Sequence, residues 1–124
     1  MGVMIRVSCS SCKADWQCRT GCGMMHGNLE NAAASYPAEI RKEIYANVQG
    51  EYPLFDFSYQ PARCMYCRGI VSVPVLEVED GKYRYTGVCE VCGGEVETIQ
   101  DLSQTSCPVC GKMSLKEEEI GLWD

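Results

Sequence analysis

Three things are scarce in this chain, and each scarcity removes a class of function. A single histidine, His26, occurs in 124 residues, so no His-Glu-x-x-His helix and no multi-histidine catalytic metal site can be assembled. Positive charge is also short: 11 Lys and Arg stand against 17 Asp and Glu, a formal net charge of −6. That field repels nucleic-acid phosphates, and the local clusters Arg41/Lys42 and Arg63/Arg68 are thin. Nucleic acid is therefore not the expected partner. Long apolar runs are missing too, since nothing approaches the ~20 residues needed to cross a bilayer. The opening Met-Gly-Val-Met-Ile-Arg-Val is too short and too soon polar for a signal peptide. No membrane role is expected, and a cytoplasmic location is the default.

Cysteine is what the chain has in excess. Eight of its ten cysteines fall in four Cys-x-x-Cys pairs, Cys9/Cys12, Cys64/Cys67, Cys89/Cys92 and Cys107/Cys110. That is ligand spacing rather than a disulfide framework, because two thiolates three residues apart can reach the same ion. Two pairs complete one tetrahedral site, so the eight predict two closed four-cysteine cages. Zinc is the default guest and iron the alternative. Gly93 and Gly111 follow the second cysteine of their pairs, where a glycine lets the chain curl and aim N–H groups at sulfur. Eight thiolates around two divalent ions would bring the net charge to about −10.

A chain of this length is one domain or two very small ones, burying roughly 60–70% of its unfolded surface, so metal staples would reinforce a modest core. Residues 3–8 read as a strand feeding the first pair, with Trp16 as a cover for that metal. Cys18, Cys22 and His26 then recur every four residues, a spacing that on a helix would align them as a third metal site or a redox dithiol. Gly21, Gly23 and Gly27 argue against a helix. The plainer reading is a glycine loop in which Met24 and Met25 plug the core and both thiols are small buried side chains.

Residues 28–50 are the helical part. Leu29 to Ala34 predicts one or two turns. Ser35 is the expected cap of a second helix with Pro37 in its first turn. Ile40, Ile44 and Val48 share an apolar face, and Gly50 stops the helix. Residues 51–63 alternate Leu54, Asp56 and Ser58 against Phe55, Phe57 and Tyr59, an extended segment with one buried face whose aromatics suit a core better than base stacking. Ile70–Val78 is a β-branched strand that Pro74 would place at an edge or a bulge. Asp80-Gly81 predicts a hairpin turn into Lys82–Val88. Glu95–Ile99 reads as another strand, residues 103–106 return toward Cys107, and the tail holds a last short strand with Leu122 and Trp123 docked on the body. The expected division is 1–69, a knuckle half with a helical insertion, and 70–124, a β-hairpin and ribbon, together one compact unit.

Which pairs share an ion is left open by spacing. Cys89/Cys92 with Cys107/Cys110 closes a short loop and leaves Cys9/Cys12 with Cys64/Cys67. The rival joins Cys64/Cys67 to Cys89/Cys92 and Cys9/Cys12 to Cys107/Cys110. Loop entropy favours the first arrangement, although its dependence on length is weak.

Residues 89–111, with Cys89-Glu-Val-Cys92-Gly93 and Cys107-Pro-Val-Cys110-Gly111, resemble the zinc-ribbon proteins and their rubredoxin-like knuckles. More loosely, the whole chain is similar to a group of small bacterial zinc-ribbon proteins. The shared features are the N-terminal pair, a Gly-x-Gly-Met-Met loop at 21–25, the further pairs and the ending Gly121-Leu-Trp-Asp124. The resemblance implies metal binding and no particular activity, and Cys18 and Cys22 lie outside its pattern. The fold expected is a small metal-stapled α+β protein: two zinc-ribbon-like sites of four cysteines each, short antiparallel β-hairpins and a helical insertion. The function expected is a non-catalytic zinc module that binds another protein as adaptor or regulator. The alternatives are rubredoxin-like electron transfer through iron and a nucleic-acid-binding ribbon.

Overall fold

The protein is seen here in a computed structural model that describes residues 2–23, 28–48, 55–79 and 81–123. Strand β1 (Gly2–Cys9) is central in a three-stranded antiparallel sheet, between β2 (Asp15–Thr20) and β7 (Leu115–Trp123). The two ends of the chain thus pair along their length, from Gly2 opposite Trp123 to Cys9 opposite Leu115. A second antiparallel sheet takes the middle of the chain, in the order β5 (Tyr83–Thr86), β4 (Gly69–Val78), β3 (Phe55–Cys64), β6 (Val96–Thr98). The architecture is that of a small α+β protein. The final strand runs nine residues, longer than the short strand the tail predicts.

The sheets are stitched where β2 ends. Gly21 exchanges backbone hydrogen bonds with Tyr59, 3.0 Å from its N–H and 2.8 Å to its carbonyl, on the edge of β3 beyond β6. Positive φ at Gly21 (83°) turns the chain into this bridge, a region closed to most side chains. Cys18 lies inside β2, so the four-residue spacing of Cys18 and Cys22 does not trace a helix.

Helix α1 (Leu29–Ala33) is capped by Asn28, whose side-chain oxygen accepts from the Asn31 N–H at 2.8 Å. Helix α2 (Ala38–Asn47) starts after Pro37, not at Ser35. Ser35 and Tyr36 close α1 instead, donating to the carbonyls of Ala32 and Ala33, and α2 has no side-chain cap. Ile44 is fully buried, and Ile40 and Val48 pack around the same cluster with Phe57, Leu76 and Val78. The aromatic alternation of β3 therefore serves the helix-facing core. Tyr36 and Asn47 clamp the helices to β5, the Tyr36 hydroxyl donating to the Tyr85 carbonyl at 2.7 Å and the Asn47 amide to the Tyr85 hydroxyl at 2.6 Å.

Pro74 sits in an interior strand, against the expectation of an edge or bulge. Its carbonyl accepts from Gly87 N–H at 2.9 Å, just past the end of β5. In an antiparallel strand a residue's N and O face the same neighbour, so the missing donor falls where that ladder has already ended. Gly87 is required here, since a Cβ on it would lie 2.7 Å from the Pro74 ring. The 103–106 return is built on a 3₁₀ turn over Leu102–Gln104, whose start is capped by Asp101. Of the two apolar tail residues, Trp123 docks and Leu122 is exposed. Leu54, Met24, Met25, Gly50 and Asp80 lie outside the described residues.

Candidate metal centres

Each Cys-x-x-Cys pair sits on the same tight turn. Cys9, Cys89 and Cys107 donate their N–H to the carbonyl five residues on (Ala14, Gly94 and Lys112), at 2.9 Å in each case. In return they accept from the N–H four residues on, at 2.8–3.0 Å. Cys64 and Gly69 occupy the equivalent positions as paired residues of β3 and β4. The residue after the second cysteine is left-handed in all four turns: Lys13 (φ 66°), Arg68 (54°), Gly93 (74°) and Gly111 (77°). Glycine supplies this for two of them, while Lys13 and Arg68 hold it as ordinary L-residues.

The turns converge in twos. The Sγ atoms of Cys9, Cys12, Cys107 and Cys110 lie within 4.8 Å of one another, as do those of Cys64, Cys67, Cys89 and Cys92. The arrangement favoured by loop length is therefore corrected, because the two C-terminal turns that resemble one ribbon go to different clusters. The physical reason is strand pairing. β1 and β7 bring Cys9 beside Leu115, and Ser10 N–H donates to the Ser114 carbonyl at 3.0 Å. Doubling a loop costs only about 0.6 kcal/mol, which a ladder of eight residue pairs readily outweighs.

Sulfur spacing discriminates among chemistries. Contacts between the turns are 3.6 Å (Cys9–Cys110) and 3.7 Å (Cys12–Cys107) in one cluster, and 3.5 Å (Cys64–Cys92) and 3.7 Å (Cys67–Cys89) in the other. A disulfide needs about 2.05 Å, and all ten cysteines are free thiols. A tetrahedral ion with metal–sulfur bonds of about 2.3 Å needs edges of about 3.8 Å. The donor set thus fits a tetrahedral, thiophilic cation; between zinc and iron it does not choose.

The electrostatics point the same way. A hydrogen bond from the Ser114 hydroxyl, 3.1 Å from Cys9 Sγ, leads the effects that lower the Cys9 thiol to about 6, followed by the Cys12 N–H. In the other cluster Cys64 falls to about 7, chiefly through the Cys67 N–H. Cys67 rises to about 12 because it donates to Cys64, with burial adding to that. Cys12 rises to about 11: the Ala14 N–H lowers it, but burial and the neighbouring thiols prevail. Four thiolates cannot share so small a volume without a cation, and binding one would expel the remaining protons. The first cysteine of every pair is buried, and the second is partly or fully exposed, so each cluster is anchored in the core and reached from one side.

Arg63 connects the two clusters. Its Nη1 donates to Ser106 Oγ at 2.7 Å and its Nη2 to Glu97 Oε2 at 2.9 Å. Arg63 precedes Cys64, and Ser106 precedes Cys107. Trp16 packs on the cluster containing Cys9 and Cys107, and its Nε1 lies 3.4 Å from where a Cβ on Gly69 would sit. It thereby touches the surroundings of both sites. Neither Ser114 nor Arg63 was legible as a site residue, since nothing in their local spacing sets them apart.

Cys18 and Cys22 belong to neither cluster. Cys18 is fully buried between the sheets, where burial pushes its thiol up to about 11 against the lowering effect of the Ser72 hydroxyl. Ser72 Oγ also accepts from the Arg19 N–H at 2.7 Å. Cys22 is half-buried against the helix-facing core. His26 lies outside the described residues. Among the described residues no helix is long and apolar enough to cross a membrane.

Compared with protein-family models, curated proteins and solved structures, the chain matches none. What the fold and site define is a class: a small two-sheet α+β protein whose two four-cysteine clusters are compatible with metal binding.

Proposed function

We propose that the eight paired cysteines hold two zinc ions in saturated structural cages, and that the protein is a non-catalytic module serving as adaptor or regulator for another protein. The observation that carries the reading is the convergence of four sulfurs within 4.8 Å in each cluster, with two contacts between the turns of each at 3.5–3.7 Å. Four thiolates saturate such an ion and leave no position for water or substrate, so the ion stabilises the fold and does no chemistry. Docking on a protein is supported by the exposed apolar tips of the second cluster. Met65 is 60% exposed, and Tyr66 and Val91 are each 73% exposed, beside an acidic surface that disfavours nucleic acid.

Elemental analysis of protein purified without added metal tests the metal. Zinc at two equivalents is expected, whereas iron with thiolate-to-iron absorption would move the reading to rubredoxin-like electron transfer. Capture of partners on immobilised zinc-loaded protein, against a Met65/Tyr66/Val91 triple-serine surface variant, tests the adaptor role. Retention of nucleic acid in place of protein would overturn it.

A further inference from the structure

A cavity lies beside the second cluster, whose Cys89 forms part of its wall. It has a volume of about 630 Å³ and opens between the helices, the face of β4 and the loop from β5 to Cys89. Pro74, Tyr59 and Tyr85 line it from the sheet, Tyr36 and Ile40 from the helical side, Val88 from the loop. Its size and its mostly apolar, aromatic lining are those of a small-molecule site.

Polar side chains interrupt those walls, Arg84 and Glu90 among them, and one of them is set apart by its surroundings. Arg19 projects from β2 into the cavity, its guanidinium 4.3 Å from the centre of the Tyr59 ring and 5.3 Å from that of Trp123. Among the described residues it has no carboxylate partner, whereas Arg6, Arg63 and Arg84 each have one. Arg41 and Arg68 have none either, but Arg19 is the one held against aromatic rings rather than loose. A guanidinium seated over an aromatic ring still has N–H donors to offer a planar oxyanion. The Tyr59–Trp123 edge contact, with centroids 5.4 Å apart, and the 3.0 Å bond from Trp123 Nε1 to the Thr20 carbonyl fix the platform. The start of α2 adds to the same polarity: Pro37 lines the cavity, and the helix lacks a side-chain cap.

We propose that this cavity binds a small organic anion with a flat apolar body, an aromatic carboxylate or sulfonate. The anionic group sits on Arg19, and the ring lies among Tyr59, Tyr36 and Pro74. Cys89 and Glu90 form part of the wall, so an occupant touches a residue of the second cluster, and ligand and metal bind the same folded state. The inference stands independently of the adaptor reading, requiring only that the metal-loaded chain is folded.

The test is a titration of metal-loaded protein with 2-naphthoate and with neutral 2-naphthalenemethanol, followed by amide chemical shifts. Saturable shifts at residues 19, 59 and 85–89 are expected with naphthoate at sub-millimolar to millimolar concentration. Arg19→Gln should weaken naphthoate by about tenfold or more, the scale of a charge-assisted pair, and leave the alcohol nearly unchanged. Val88→Trp, at a residue 55% exposed on the cavity wall, should weaken both probes while metal content stays the same. No saturable shift, shifts confined elsewhere, or equal loss of both probes in Arg19→Gln would each overturn the proposal. Elemental analysis of every variant distinguishes this failure from loss of the metal sites.

Discussion

Lys13 and Arg68 occupy left-handed backbone that Gly93 and Gly111 adopt in the sister turns, and this makes a controlled comparison within one molecule. For an L-residue the conformation costs about 1–2 kcal/mol. A Cβ on Gly93 or Gly111 would meet nothing within 4 Å, so substitution there tests the backbone alone. Gly93→Ala and Gly111→Ala should each cost about 1 kcal/mol or slightly more. Lys13→Gly and Arg68→Gly should be neutral to stabilising, because glycine's greater freedom in the unfolded chain offsets part of the relief. Thermal midpoints at a constant excess of zinc read all four. Alanine variants as stable as the parent would show that the cage, not the backbone, dictates the turn.

Cys18 gives a second residue-scale prediction. Burial raises it to about 11 from 9.0, and burial raises the Tyr36 phenol as well. A group whose folded pKa is raised gives stability that is full below its unfolded value and lost as pH climbs through the folded one. Resistance to urea should therefore hold up to about pH 9 and decline between about 9 and 11. Cys18→Val should remove part of that decline, and native Cys18 should resist alkylation at pH 8 while urea-unfolded chain reacts.

Among the elements, β3, β6 and the segment before Cys107 meet at Arg63. Its side chain is 21% exposed, and its Nε is buried with no hydrogen-bond partner. Arg63→Met would remove the bonds to Ser106 and Glu97 while keeping the aliphatic stem. The expected loss is about 1.5–3 kcal/mol, the range for hydrogen bonds to a charged group. Both metals should be retained, but chelator should strip them faster, as followed with a colorimetric zinc indicator. Unchanged release would mean that Ser106 and Arg63 do not couple the clusters.

At the scale of the whole molecule, one cluster clasps the chain ends and the other clasps its middle. A double variant reads out this partition. Cys9→Ser with Cys110→Ser removes two ligands from one cluster and none from the other, so metal content should fall by half and the second sheet should persist. Had Cys9 and Cys110 served different ions, both sites would be damaged and nearly all the metal lost. Elemental analysis with amide spectra of the 55–98 region separates these outcomes.

The sequence by itself determined most of what is written within a few residues, the start of α2 excepted. A pair of thiols three apart, a left-handed residue after it and an apolar face at four-residue spacing are local geometry, and for that reason the turn sites and α2 were legible. The aromatic alternation of β3 was legible for the same reason. Tertiary structure decided what depends on residues far apart. It paired the clusters by zipping β1 to β7, placed Pro74 where a ladder had already ended, and turned Ser35 from a cap into the closing turn of α1. It also carried Arg19 onto two rings from distant strands. Loop entropy changes too slowly with length to announce such choices, whereas strand pairing and burial act over the whole chain at once.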